Sequence, residues 1–198
     1  MTEVILVTED DLSTAVASRL LEELGSRFSY RRLGNGGFGY IKKRISAWCE
    51  LACHRPVFVL TDLDNKVCPL ALISDWFGNN LPSEKLLFRV AVREVEAWLL
   101  ADHSFMREII GKSGSLSLVP ESLPDPKAVL LRLIHKHAKR QIRDDIVRKE
   151  GNNLRQGVNY NDRLVNLVCK KWDPARASKL APSLRRARLR MRKWAGKL

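Results

Sequence analysis

Residues 57–64 read VFVLTDLD: four apolar residues, Val57–Leu60, then Thr61, Asp62, Leu63 and Asp64. A short, unbroken apolar run is the signature of a strand buried on both faces, and such strands belong to parallel sheets covered by helices. Pro56 opens the run. The acids close it at the strand's carboxyl end, where open α/β sheets bind their ligands. A second run of the same kind, Val4–Val7, ends in Thr8, Glu9, Asp10 and Asp11.

Outward from these two strands, the first half of the chain alternates in period. In DDLSTAVASRLLEELG, Leu12, Val16, Leu20 and Leu24 recur at i+4 and Gly25 stands where a helix stops. Phe28–Leu33 reads as a strand, GNGGFGYIKKR as a glycine-rich loop, and residues 40–52 as a helix. CPLALISDWFG is helical, LLFRVAV is a strand and EVEAWLLAD is a further helix. This order predicts an α/β fold: a mainly parallel, Rossmann-like sheet flanked by helices, with the first and third strands as central neighbours. Residues 111–127, rich in Ser and Pro, read as a linker or long surface loop. Beyond them AVLLRLIHKHAKRQI, NDRLVNLVCKKW and SLRRARLRMRKW read as basic amphipathic helices. The expected organisation is an α/β domain over 1–110, the loop over 111–127 and a basic helical C-terminal part over 128–198.

With 198 residues, 45% hydrophobic and 29% charged, the chain can bury a core, which excludes wholesale disorder and repetitive fibrous structure. No apolar stretch approaches the ~18 residues of a membrane span, and the opening MTEVILVTEDD does not suit a signal peptide. The expectation is a cytoplasmic protein without a membrane partner. Cys49, Cys53, Cys68 and Cys169 follow neither zinc-site nor disulfide-framework spacing. The net charge of +13 is lopsided. Residues 1–99 hold 12 Lys and Arg against 13 Asp and Glu; residues 100–198 hold 23 against 9. That asymmetry points to a polyanion-binding half joined to a nearly neutral one.

Two acidic groups fall at strand ends, Glu9 with Asp10, and Asp62 with Asp64. In an extended segment residues i and i+2 point the same way, so Asp62 and Asp64 are expected to converge. Oxygen-only donors suit Mg²⁺ or Mn²⁺. Taken singly, each acid can equally cap a helix or make a turn. After the fourth strand come Glu94 and Glu96; on a helix they diverge, and Glu96 is the one expected at the site. Gly37, Lys42, Lys43 and Arg44 combine a flexible backbone with bases at a helix start, a pattern that favours phosphate. The segment fits neither a P-loop nor a dinucleotide fingerprint, so nucleotide hydrolysis is unsupported. Lys139, Arg140, Arg185 and Arg186 are candidate contacts to nucleic-acid phosphates, while His135 and His137 read as surface or packing residues.

The series of a strand-one glutamate (VILVTE, Glu9), a DxD after strand three (Asp62 and Asp64) and a later glutamate (Glu96) resembles the TOPRIM domain of topoisomerases, primases and the overcoming-lysogenization-defect nucleases. More closely, TEDDLSTAV, GFGYIKKRI, VLTDLD, VREVEAWLLAD and DPKAVL look like a group of small bacterial proteins with TOPRIM-type acids. The resemblance implies a TOPRIM-like fold and a Mg²⁺ or Mn²⁺ site formed by Glu9, Asp10, Asp62 and Asp64. It also implies an ABC-type ATPase partner and a phage-defence setting. One departure stands out: the TOPRIM glutamate is usually followed by glycine, and here Asp10 and Asp11 follow Glu9.

These observations lead to an expected Mg²⁺-dependent nuclease acting on DNA or RNA, with Glu9, Asp62, Asp64 and Glu96 as the reacting acids. Two alternatives remain open. One is a non-catalytic nucleic-acid-binding or partner-binding module whose acids are structural. The other is a receiver-like regulator, in which Asp10 and Asp11 would hold Mg²⁺ and Asp62 would accept phosphate; it lacks the expected Ser or Thr after strand four.

Overall fold

Successive side chains of a strand alternate between the two faces of its sheet, and here both faces are apolar. Val4, Leu6, Phe58, Leu60 and Leu87 belong to one core layer, Ile5, Val7, Val57, Val59 and Phe88 to the other. The computed structural model describes residues 1–34, 36–78 and 82–198; Asn35 of the glycine-rich segment and residues 79–81 lie outside them. Strands β1 (Thr2–Thr8), β2 (Phe28–Arg32), β3 (Val57–Asp62) and β4 (Leu86–Ala91) form one sheet in the order β2-β1-β3-β4. Every pairing is parallel, and β1 and β3 are central neighbours, Ile5–Thr8 lying beside Val57–Leu60. The fold is α/β, a parallel sheet flanked by helices.

One face is covered by α2 (Gly37–Lys43), α3 (Ile45–His54) and α4 (Pro69–Phe77), which bury Ile41, Trp48, Ala52, Leu72 and Trp76. The single helix expected over 40–52 is thus two, divided at Arg44. No Gly or Pro marks the division, which is why periodicity runs through it. The other face carries α1 (Asp11–Glu22), α5 (Val95–Ala101), α6 (His103–Ile110), α7 (Pro126–His137), α8 (Arg140–Ile146) and α9 (Tyr160–Lys171). The short α10 (Pro174–Ala177) and the closing α11 (Pro182–Ala195) complete it. Between α8 and α9 lies an antiparallel hairpin, β5 (Val147–Glu150) and β6 (Asn153–Gln156).

The second half shares the core of the first. Leu130, Ile134, Leu164, Trp172, Leu184 and Trp194 join the cluster that holds Val4, Leu6, Leu12 and Phe58. An ion pair fastens α10 to the α5–α6 junction: Asp102, fully buried between those helices, receives Arg176 Nε at 2.9 Å and Nη2 at 2.8 Å, and also accepts from Asp173 N. Residues 111–127 are tied down at several points. Leu116 and Leu123 pack on the core, and Glu121 accepts both the N–H and the hydroxyl of Ser183 at the start of α11. The helix after this loop begins at Pro126, capped by Asp125, which accepts Ala128 N at 2.7 Å. Among the described residues no helix is long and apolar enough to cross a membrane.

Candidate active site

The carboxyl ends of β1 and β3 and the segment following β4 bring five acids to one edge of the sheet. Glu9 follows β1 and turns across to β3, where its Oε1 accepts the Thr61 hydroxyl and, at 2.8 Å, Asp62 N. Asp62 is the last residue of β3 and is 9% exposed; its Oδ1 accepts Val95 N at 3.0 Å, an amide at the start of α5. A helix N-terminus presents unpaired N–H groups, so this carboxylate sits against a favourable dipole end.

Glu94 and Glu96 come together because Glu94 is not helical. It stands before α5 with φ −146° and ψ 159°, so the divergence expected of two helical residues does not arise. Both carboxylates turn to Lys127 at the start of α7: Lys127 Nζ lies 3.5 Å from Glu96 Oε1 and 3.9 Å from Glu94 Oε1, and Lys127 N donates to Glu94 Oε2 at 3.0 Å. Glu96 is 2% exposed and also accepts the Tyr160 hydroxyl at 2.7 Å. Its Oε2 is buried without a partner among the described residues.

The electrostatics follow from this crowding. Burial, then the like charges of Glu96 and Glu9, push the Asp62 carboxyl well above the usual range. Burial raises Glu9, Glu94 and Glu96 as well. Burial opposes the charge on Lys127, but Glu96, Glu94, Asp62 and Asp10 outweigh it and hold the ammonium above the ordinary lysine value. Tyr160 is likewise raised, first by burial and then by Glu96.

The other sequence candidates divide. Asp10 caps α1, its Oδ1 accepting Ser13 N at 2.7 Å, so it takes the helix-capping role while lying near enough to raise Glu9 and Asp62. Asp64 does not extend the strand. β3 stops at Asp62 and Asp64 takes φ +49° in a turn held by Arg93; its side chain is exposed, and its charge lies near enough to raise Glu9. Gly37, at φ +72°, donates its N–H to the Glu9 carbonyl at 3.1 Å, so the glycine-rich segment rims the acids. Lys42 pairs with Asp75, Lys43 is exposed, and Arg44 lies over the Tyr40 ring at 4.7 Å. Lys139 and Arg140 begin α8, with Arg140 paired to Asp144, and Arg185 and Arg186 are exposed on α11.

No protein-family model, curated protein or solved structure matches this chain.

The donor set suits a divalent ion of restricted kind. Carboxylate oxygens favour hard cations. Glu96 Oε2 is unpartnered, and Glu9 and Asp62 each have one oxygen engaged in the bonds described above. Among the described residues, no three such groups stand close enough to enclose a metal ion by themselves. Mg²⁺ commonly takes only one or two carboxylates and completes its shell with water and substrate phosphate. The residues therefore fit an ion shared with a phosphate-bearing substrate, and do not fit an all-protein cage.

Lys127, Tyr160 and Thr61 belong to this site and were not among the sequence candidates. The signal for Lys127 lies in DPK, residues 125–127: a capping Asp and a first-turn Pro start a helix there and turn Lys127 from a loop residue into a fixed one. Nothing local in the sequence marks Tyr160; only the packing of α9 brings it to Glu96.

Proposed function

We propose that this protein is a Mg²⁺- or Mn²⁺-dependent nuclease of TOPRIM type, hydrolysing phosphodiester bonds of DNA or RNA. The observation that carries the reading is the burial of Asp62 and Glu96 beside Glu9, with Lys127 as the counter-charge. Such crowding costs stability, and carboxylates perturbed in this way at the carboxyl edge of a parallel sheet point to a working site; Glu94 and Lys127 line an open cleft beside them. The bound ion would activate water and offset charge on the scissile phosphate. One or two of the carboxylates of Glu9, Asp62 and Glu96 would hold it together with the substrate phosphate, and a neighbouring carboxylate would take up the proton of the attacking water. Lys127, kept charged by Glu96 and Glu94, supplies a fixed positive charge to the phosphate. The basic second half supplies sequence-independent attraction for the backbone. The resemblance to TOPRIM-type chains supports the same reading, and extends it to an ABC-type ATPase partner in phage defence.

A non-catalytic binding module is the second reading, favoured by the structural bonds of Asp10, Asp62 and Glu94 to backbone amides. Incubation of single- and double-stranded DNA and RNA with the protein separates the two. The nuclease reading expects cleavage with Mg²⁺ or Mn²⁺, none with chelator, and a loss of about 10²-fold or more in Asp62→Asn. Cleavage that survives in Asp62→Asn would overturn the site, and salt-dependent binding without cleavage of any substrate would favour the module.

A further inference from the structure

Strand β4 forms one edge of the sheet, and α11 packs along it. Between them lies a cavity of about 200 Å³ whose wall includes Phe88, Arg89, Arg190, Lys193 and Trp194. A smaller space of about 80 Å³ continues past Phe88 and Arg89 to Arg186 and Ser183. Together they make a groove with a basic wall. Among the described residues, Arg89, Arg186, Arg190 and Lys193 form no ion pair, and the one acid on the wall, Glu84, is engaged by Lys197.

Two features of the groove are unbalanced as they stand. Arg89 is half-buried, and burial together with the like charges of Arg190 and Arg186 pushes its guanidinium below the ordinary arginine value. Trp194 is 4% exposed, and its indole N–H is buried with no acceptor among the described residues. A desolvated cation without a counter-charge and a buried donor without an acceptor are each unfavourable, and both residues line the space that an oxyanion would occupy. Arginines recognise phosphate with paired N–H donors, which makes phosphate the fitting anion.

We propose that the β4–α11 groove is a phosphate-binding site that works without a metal ion and seats the backbone of a nucleic-acid strand. Its extent favours a strand over a single small anion. Arg186, Arg190 and Lys193 follow at intervals of four and three residues, one stripe of α11, and span about 10 Å at 1.5 Å per residue. Its direction favours the same choice. Ser183, at the start of the stripe, bonds Val92 N, two residues before Glu94, so the groove leads from the far end of β4 toward the acids. The inference rests on the proposed function only in naming a nucleic-acid strand as the bearer of the phosphate.

The test is binding of a fluorescent single-stranded oligonucleotide, and separately of inorganic pyrophosphate, in chelator and across a salt series. The full chain is compared with Arg190→Gln/Lys193→Gln and with Lys170→Gln/Lys179→Gln. The second pair removes two exposed lysines that lie outside the groove and form no ion pair among the described residues, and it matches the first in charge. All three proteins are checked for a common circular-dichroism spectrum. The groove pair is expected to weaken oligonucleotide binding about tenfold and to lower the salt slope by about 1.4, two contacts at ~0.7 each. The control pair is expected to change it less than twofold. Equal losses in both pairs, or none in either, would overturn the site. Pyrophosphate binding lost in the groove pair while oligonucleotide binding persists would overturn the strand as its occupant. Asp62→Asn should bind as wild type does in chelator, so failure of the groove and failure of the acidic site give different results.

Discussion

Asp62 accepts one amide hydrogen bond, yet it is buried against two other carboxylates, and the balance is carried by Lys127. The raised carboxyls of Asp62, Glu9 and Glu96 bind protons in the folded state at pH values where the unfolded chain has lost them. Stability must then fall as pH rises from the ordinary carboxylate range through the raised values. Asp62→Asn keeps an acceptor for Val95 N and removes the charge. It should melt higher than wild type at about pH 8, with the difference shrinking toward about pH 4, as read by thermal unfolding across the pH series. Lys127→Met acts in the opposite sense, leaving Glu96 and Glu94 without their cation. The expected loss is about 3 kcal/mol, the lower end for breaking a buried pair, because the Lys127 side chain keeps 34% exposure. Denaturant unfolding of the variant and of Lys127→Met/Glu96→Gln checks this, with the double variant expected to recover part of the loss. Glu9, Asp62 and Glu96 could be singled out from their places after apolar runs. The turn at Asp64 was not legible, because alternation assumes that the strand continues, and β3 ends at Asp62.

The elements most legible in the sequence are those whose pattern is set by burial on two sides. β1 and β3 read as unbroken apolar runs because helices cover both faces. The breaks at Arg44 and at Ala138–Lys139 were not legible, since neither carries Pro or Gly and only packing bends the chain there. The β5–β6 hairpin did carry a signal, Gly151–Asn152 between two short strands, with Gly151 at φ +59°. The Ser- and Pro-rich loop conceals a structural part of another kind: Glu121 caps α11 from outside by accepting Ser183 N at 2.9 Å, and the Ser183 hydroxyl accepts Trp98 Nε1 at 2.8 Å. Glu121→Ala leaves the N–H and the hydroxyl of Ser183 without their acceptor near the core. It should lower the unfolding free energy by about 1–3 kcal/mol with an unchanged denaturant slope, measured by urea titration.

At the scale of the whole chain, acids and bases occupy different places. The acids gather at the carboxyl edge of a sheet built from the nearly neutral first half, whereas the second half brings the excess of 23 bases over 9 acids. Lys127 is the exception, a base from the second half placed among the acids, and it joins the two halves through its contacts with Glu96 and Glu94. The charge asymmetry was plain from counting; the shared core was not, because contacts such as Leu12 with the layer of Leu164 and Trp172 span the whole sequence. The most direct test of the acidic edge as a metal-dependent phosphodiester site is Mn²⁺ binding, followed by electron paramagnetic resonance, with and without a non-cleavable phosphorothioate oligonucleotide. Wild type is expected to bind Mn²⁺ weakly alone and about tenfold or more tightly with the oligonucleotide, as an ion completed by substrate phosphate requires, and Asp62→Asn is expected to lose that gain. Mn²⁺ binding equal in wild type and Asp62→Asn, with no gain from the oligonucleotide, would contradict it.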